Sequence, residues 1–289
     1  MTTAPLERAA PLPPPAPPDA LLLIGHPVAH SLSPRFQNAA LRACSLRQTY
    51  TARDVPPEAL PGVLSELAAG SVRGTSTAGN VTLPLKELVF DASSHRSALA
   101  ERVGAANTFW FDEGELFVHN TDVAGAHRAI RALCPDGIAG APCALLGAGG
   151  SAAAVLVALD ELGAGGISMA SRTPARVHAL AARVGVSVTA VSDIADAVDG
   201  AMLVVNATPV GLRDDAMIVQ PAALSRGSRV LDLVYRHGET AWVRACRDAG
   251  LDAQDGLRML VEQGAAAFEC WFGIEAPRRA MWRALEADA

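Results

Sequence analysis

The sequence predicts an α/β protein of two units, each a sheet flanked by helices, and three observations carry that expectation. Short apolar, strand-like runs alternate with longer stretches of helical spacing along most of the chain. Half of the residues are apolar but only 4% are aromatic, so the cores must be built from small aliphatic side chains on closely packed helices. A chain of 289 residues is long enough for two cores of ordinary size.

Residues 1–19 are expected to form a disordered tail, because Pro11, Pro13, Pro14, Pro15, Pro17 and Pro18 stand among alanines with little to bury. The apolar run Leu21 to Ile24, closed by Gly25, predicts a buried first strand. Ser33-Pro34 then opens a helix running through Cys44, with proline in its first turn and Ser33 as the expected cap. Tyr50 to Val55 predicts a second strand, Pro57 to Ala69 a helix opened by proline, and Gly79 to Leu83 a strand end running into a helix near Pro84. Asn107 to Phe111 and Glu115 to Val118 flank Glu113-Gly114 and predict a hairpin. The helical spacing from Asp122 to Leu133 marks the expected connector between the units.

The second unit has a clearer period. Strands are predicted at Cys143 to Leu146, Ile167 to Ala170, Ser187 to Val191, Ala201 to Asn206 and Arg229 to Leu233, with helices from Gly149 and over Pro174 to Val184, the pattern of an open parallel sheet wound by helices. Gly256 to Phe272 predicts a long last helix and Pro277 to Leu285 an amphipathic tail. Nothing repeats beyond this strand and helix alternation.

Composition excludes several classes of function. The formal charge is −6, and no stretch interleaves basic and aromatic residues as a nucleic-acid track would. Cys44, Cys134, Cys143, Cys246 and Cys270 are odd in number, widely spaced and without a CxxC pair, which argues against a disulfide framework or a zinc cage. No run reaches the roughly 18 apolar residues of a membrane span, and the N-terminus lacks the order of a signal peptide. The expectation is a soluble, cytoplasmic protein, monomer or homodimer, whose partner is a small molecule and which uses no metal.

Leu145-Leu146-Gly147-Ala148-Gly149-Gly150-Ser151-Ala152 places a buried strand directly before a glycine turn and a helix, in the form G-x-G-x-x-A. Glycines let a backbone approach a pyrophosphate, and the helix N-terminus offers amide donors and partial positive charge. A glycine turn alone is often only a tight loop; the strand before it and the helix after it favour a Rossmann-like dinucleotide cradle. The next strand ends at Ala170-Ser171-Arg172-Thr173, where an acidic residue would select NAD through the ribose hydroxyls. Arg172, with Ser171 and Thr173, instead suits a 2′-phosphate, so the expected cofactor is NADP.

In the first unit Ser31, Ser33, Asn80, Thr82, Lys86, Asn107 and Asp122 all stand where a strand or loop meets a helix, and are expected to cluster. Each taken alone has a bland reading as a cap, a turn residue or an exposed charge. His26, His30 and His119 have no partner spacing that suggests a metal or a triad.

These segments form an ordered series. From about Leu21 to Phe272 they are Gly25-His26-Pro27-Val28-Ala29-His30-Ser31-Leu32-Ser33-Pro34, Asn80-Val81-Thr82-Leu83-Pro84-Leu85-Lys86, Gly104-Ala105-Ala106-Asn107-Thr108 and Asn120-Thr121-Asp122. Gly147 to Ser151, Ser171-Arg172-Thr173, Asn206-Ala207-Thr208, Tyr235 with Thr240, and Asp255-Gly256-Leu257 with Met259-Leu260-Val261 and Gln263 follow. The series resembles the shikimate/quinate dehydrogenase family, with Ser171 where that family usually has Asn.

The resemblance implies that Ser31 and Ser33 hold a substrate carboxylate, that Asn80, Thr82, Asn107, Asp122 and Gln263 bond ring hydroxyls, and that Tyr235 sits nearby. It also implies that Lys86 and Asp122 form an acid-base pair at the reacting carbon, and that Gly147, Ala148, Gly149, Gly150, Ser151, Ser171, Arg172 and Thr173 hold NADP. The physical chemistry agrees: reducing a ketone builds negative charge on oxygen and needs a proton donor within hydrogen-bond reach. How Lys86 and Asp122 share those roles is open from sequence. The implied activity is reversible NADP-dependent reduction of 3-dehydroshikimate to shikimate, in chorismate and aromatic amino acid biosynthesis. The alternatives are a quinate or dual quinate/shikimate dehydrogenase, a dehydrogenase of other cyclic acids, and a non-catalytic NADP-binding sensor. The implied division is a substrate domain of residues 20–122 and 255–289, completed by a returning C-terminal helix, around an NADP domain of residues 123–254.

Overall fold

The structure is a computed structural model that describes residues 12, 15–236 and 238–286. Most of the expected Pro-rich tail, residues 1–11, 13 and 14, lies outside the described residues. Of the remainder, Leu12 packs against the core of the first unit and the Pro18 carbonyl accepts a hydrogen bond from Gln48 Nε2 at 3.0 Å.

In the first sheet β1 (Ala20–Gly25) lies between β2 (Tyr50–Asp54) and β3 (Thr77–Val81), parallel to both. Apolar Leu21 to Ile24 fit a strand covered on both faces. β3 pairs antiparallel with β5 (Thr108–Asp112), β5 antiparallel with β6 (Glu115–His119), and the two-residue β4 (His95–Arg96) closes that edge. The order is β2-β1-β3-β5-β6-β4. The β5–β6 hairpin turns on Glu113 and Gly114, both at positive φ (48° and 85°), as a tight two-residue turn that matches strand twist requires.

The second sheet is parallel throughout, in the order β12-β11-β10-β7-β8-β9. Its strands are β7 (Pro142–Leu146), β8 (Gly166–Ala170), β9 (Thr189–Val191), β10 (Leu203–Asn206), β11 (Arg229–Asp232) and β12 (Asp252–Gln254). The chain enters at β7, winds out to β9 and returns on the other side at β10. That reversal opens a crevice beyond the strand ends between β7 and β10, the place where such sheets bind ligands.

Among the described residues eleven α-helices cover the sheets: α1 (Ser33–Ala43), α2 (Leu60–Val72), α3 (Lys86–Ala92), α4 (Ala98–Val103), α5 (Asp122–Leu133), α6 (Gly150–Glu161), α7 (Pro174–Val184), α8 (Ile194–Val198), α9 (Ala241–Asp248), α10 (Leu257–Phe272) and α11 (Arg278–Glu286). Ala152 to Leu159 of α6 are buried without a break, so this helix is wrapped by protein on every side. The C-terminal helices return to the first sheet, where Val261, Phe268, Trp271 and Met281 share a core with Leu21, Phe36 and Trp110.

Two glycines set the seating of α10. A Cβ at Gly125 of α5 would stand 2.8 Å from the Met259 carbonyl oxygen and 2.8 Å from Gln263 Cβ, and one at Gly264 would lie 2.4 Å from the Phe36 ring. Bare backbone therefore lets α10 approach α5 on one side and α1 on the other. Gln37 Nε2 fixes the second contact by donating to the Gly264 carbonyl at 2.9 Å.

Several elements differ from the expectation. The helix expected over Pro57 to Ala69 begins as a 3₁₀ turn at Pro57–Ala59 and continues as α2 to Val72. Ser33 does not cap α1: Ser31 Oγ accepts from the Ser33 amide at 3.2 Å, and Ser33 stands inside the first turn. The elements β4, α4, α8, α9 and β12 were not anticipated. Among the described residues no helix is long and apolar enough to cross a membrane.

Candidate active site

Lys86 and Asp122 are each the first residue of a helix, α3 and α5. Nζ of Lys86 donates to Oδ2 of Asp122 at 2.5 Å, and the side chains are only 12% and 6% exposed, so the pair attracts with little solvent screening. The α5 N-terminus favours the Asp122 carboxylate through the amides it leaves unpaired. The Ala106 amide bonds the Lys86 carbonyl at 3.0 Å and ties the start of α3 to the segment that leads through Asn107 into β5.

Asn107 is the centre of the cluster. Its Nδ2 lies within donating distance of Asp122 Oδ1 (2.8 Å), Thr121 Oγ1 (2.9 Å) and Gln263 Oε1 (3.0 Å), while its Oδ1 accepts from the Thr121 amide at 2.7 Å. Asp122 thus spends one oxygen on Lys86 and the other on Asn107. Asn80 lies beside them: Nδ2 donates to the Asn107 carbonyl (3.0 Å) and Thr108 Oγ1 (3.2 Å), and Oδ1 accepts from the Tyr50 hydroxyl at 2.8 Å. Gln263 Nε2 donates to the Leu260 carbonyl at 2.8 Å, so its oxygen faces Asn107. An unpaired polar group at such a buried position costs about 1–3 kcal/mol, so these bonds fix the side chains in place.

Ser31, Ser33 and Thr82 stand on the same edge, beyond the C-terminal ends of β1 and β3. The ladder runs on past both strands, with the Thr82 amide bonding the Ile24 carbonyl (2.8 Å) and the His26 amide bonding the Leu83 carbonyl (2.9 Å). Gly25 makes this possible, since a Cβ there would lie 2.3 Å from Thr82 Cγ2. Ser33 is buried and Ser31 half-buried.

Tyr235, three residues past β11, is half-buried, and burial pushes its phenol pKa up. Among the described residues no hydrogen bond joins it to the Lys86 cluster. Of the histidines, His26 pairs with Asp54 at the surface (2.8 Å). His119 Nδ1 lies 2.7 Å from Ser97 Oγ, with burial lowering its pKa. Neither meets Lys86 or Asp122. The sequence reading gave no role to Tyr50, Thr108 or Thr121, which complete the network. The two threonines directly flank Asn107 and Asp122 in the motifs, and that adjacency was the available signal.

The glycine loop lies at the end of β7. Gly147 has φ of 112°, and a Cβ there would stand 2.9 Å from the Ala207 carbonyl oxygen, so both conformation and space demand glycine. At Gly149 and Gly150 an added Cβ would meet nothing within 4 Å, and Gly149, at the N-cap of α6, gives the first amides of that helix no side-chain acceptor. Open space before unpaired amides fits a pyrophosphate. After β8, Arg172 and Thr173 are exposed, and Ser171 Oγ accepts from the Thr173 amide at 3.4 Å. Arg172 makes no ion pair among the described residues, which leaves its guanidinium available to a phosphate.

Comparison with known proteins places the chain in a family. Residues 23–109 match the shikimate dehydrogenase substrate binding domain, and residues 256–286 match the shikimate 5′-dehydrogenase C-terminal domain. A shikimate dehydrogenase (NADP(+)) of Thermus thermophilus is 42% identical over 90% of this chain and 97% of its own length. Among solved structures, shikimate 5-dehydrogenase of a second Thermus thermophilus strain, in complex with NADP(H) and shikimate, superposes with a TM-score of 0.82 at 40% identity, covering 93% of this chain and 99% of that one. Quinate dehydrogenase of Corynebacterium glutamicum in complex with NAD superposes with a TM-score of 0.83 at 29% identity, covering 93% of this chain and 99% of that one.

Proposed function

The chain belongs to the shikimate dehydrogenase family, and from that premise we propose that it is an NADP-dependent oxidoreductase that interconverts 3-dehydroshikimate and shikimate, as a cytoplasmic step of chorismate and aromatic amino acid biosynthesis. The observation that carries this reading is the buried Lys86–Asp122 pair, locked to Asn107 and Gln263 in a chain that also carries an open glycine loop. In this reading residues 20–122 and 255–289 form the substrate domain and residues 123–254 the NADP domain.

Ser31 and Ser33, on the edge beyond β1, would hold the substrate carboxylate. Asn80, Thr82, Asn107 and Gln263 would take its ring hydroxyls, with Tyr235 nearby. Gly147 to Ser151 would hold NADP, with Ser171, Arg172 and Thr173 at its 2′-phosphate, and the cofactor would supply or accept the hydride. In the reductive direction negative charge grows on the ketone oxygen. Lys86 would stabilise that oxygen through its ammonium group and pass it a proton. Asp122 would orient Lys86 and accept a hydrogen bond from the product hydroxyl. In the oxidative direction the same pair takes the hydroxyl proton away.

Initial rates followed by nicotinamide absorbance test the proposal, with shikimate or quinate crossed against NADP or NAD. Turnover with shikimate and NADP that is at least about tenfold better than any other pair is expected, since a site built to bond a particular hydroxyl pattern rejects analogues strongly. Comparable quinate turnover would make the enzyme a dual dehydrogenase. NADP binding without turnover of either acid would make the chain a sensor.

A further inference from the structure

A second buried polar cluster lies at the C-terminal edge of the parallel sheet, outside the residues assigned above. Asp232 ends β11 and is 1% exposed. Its Oδ1 accepts from Asn206 Nδ2 (2.9 Å) and from the Val234 amide (3.1 Å), and its Oδ2 accepts from Thr240 Oγ1 (2.9 Å). The two strand ends it joins lead to different parts of the crevice. Asn206 Oδ1 accepts from the amide and the hydroxyl of Thr208 (3.0 and 2.7 Å), shaping the turn whose Ala207 carbonyl presses on Gly147. Val234 is held from both sides, its amide by Asp232 and its carbonyl by the Gly256 amide at 3.1 Å, just before Tyr235 and at the entrance to the helix that carries Gln263.

We propose that Asp232 is a positioning residue for the reaction: one carboxylate oxygen holds the Asn206–Thr208 turn, beside the glycine loop, in register with the segment that presents Tyr235. The inference rests on the function proposed above. Burial raises the pKa of this carboxyl group, with the hydrogen bonds from Val234, Thr240 and Asn206 opposing that rise. A buried carboxylate is a costly device for stability alone, since apolar side chains of similar volume often fold as well or better. Its three accepted bonds are all spent on fixing loops and the N-cap of α9, not on neutralising a cation.

The test is a double-mutant cycle read in kcat, at a temperature well below the melting point of every variant. Asp232→Ala is expected to lower kcat by about tenfold with Tyr235 present and by no more than about twofold in the Tyr235→Phe background, because coupled residues lose the same interaction only once. In the Arg172→Ala background the loss should stay at about tenfold, since Arg172 shares no partner with Asp232. Asp232→Asn, which keeps an oxygen for Val234 and Asn206, should restore most of the rate. If Asp232→Ala does not fold, Asp232→Ser, with one short hydroxyl in place of two carboxylate oxygens, carries the same expectation. Equal losses with and without Tyr235, an unchanged kcat, or a Tyr235→Phe variant of normal kcat would overturn the inference while leaving the proposed function intact. A wild-type protein that turns over neither acid would sink the proposed function first, and the inference with it.

Discussion

On the proposed substrate side of the crevice the polar groups already satisfy one another: Asp122 holds Lys86 and Asn107, Asn107 reaches Gln263, and Asn80 is held by Tyr50 and Thr108. On the proposed nucleotide side Gly149 and Gly150 face open space, the first amides of α6 have no side-chain acceptor among the described residues, and Arg172 is exposed. The first region is organised before any ligand arrives, as a site that must place a proton within a fraction of an ångström needs to be. The second would be completed by what it binds, as would suit a long, flexible, highly charged cofactor held mostly through backbone donors.

That contrast implies that substitutions on the two sides fail in different ways. The largest effect is expected at Lys86. Lys86→Ala should lower kcat by about 10²–10⁴-fold, because the lost group acts mainly on the charge that develops in the transition state. NADP affinity, measured by fluorescence titration, should be unchanged. A variant that keeps near-normal turnover would remove Lys86 from the chemistry and break the contrast at its strongest point.

Across the crevice Arg172→Ala should raise KM for NADP by about 10- to 100-fold, the worth of a charge-assisted bond of roughly 1.5–3 kcal/mol. KM for NAD and for shikimate should move little, because the guanidinium would meet only the 2′-phosphate. Steady-state kinetics with both cofactors decide this, and equal losses with NAD and NADP would place Arg172 on the shared part of the dinucleotide instead.

How much of this was legible in the sequence follows the same division. The glycine loop could be read because its signal is local: a strand, three glycines and a helix adjoin in the chain, and Gly147 needs its residue type for a conformation that other side chains rarely adopt. Lys86 and Asp122 were expected to cluster from their places at helix starts, but that they pair came only from the resemblance, since they are 36 residues apart and each alone looks like an ordinary helix-start charge. Tyr50 gave no signal: in sequence it is an aromatic residue opening a strand, and its hydroxyl gains a purpose only where β1 and β3 bring Asn80 beneath it. The elements β4, α4 and β12 are two to six residues long, too short for periodicity to register, and they exist because longer neighbours pin them.

The smallest expected effect sharpens the claim that the substrate side is built in advance. Gly125 makes no hydrogen bond with a side chain of the cluster, yet it sets how closely α10 approaches α5 and hence where Gln263 lies. A Cβ at this position would be 2.8 Å from the Met259 carbonyl oxygen and 3.1 Å from the Gln263 amide nitrogen, and backbone atoms cannot swing aside as a flexible side chain would. Gly125→Ala must therefore push the helices apart, at a cost of about 1–3 kcal/mol in unfolding free energy by denaturant titration. Because Gln263 Oε1 then draws away from Asn107 Nδ2, KM for shikimate should rise several-fold, on the order of 1 kcal/mol. KM for NADP should stay within about twofold, since the glycine loop leans on Ala207 and not on α10. A variant that loses stability but keeps its KM for shikimate would show that the substrate completes the site by itself, and the two sides of the crevice would then differ in openness but not in principle.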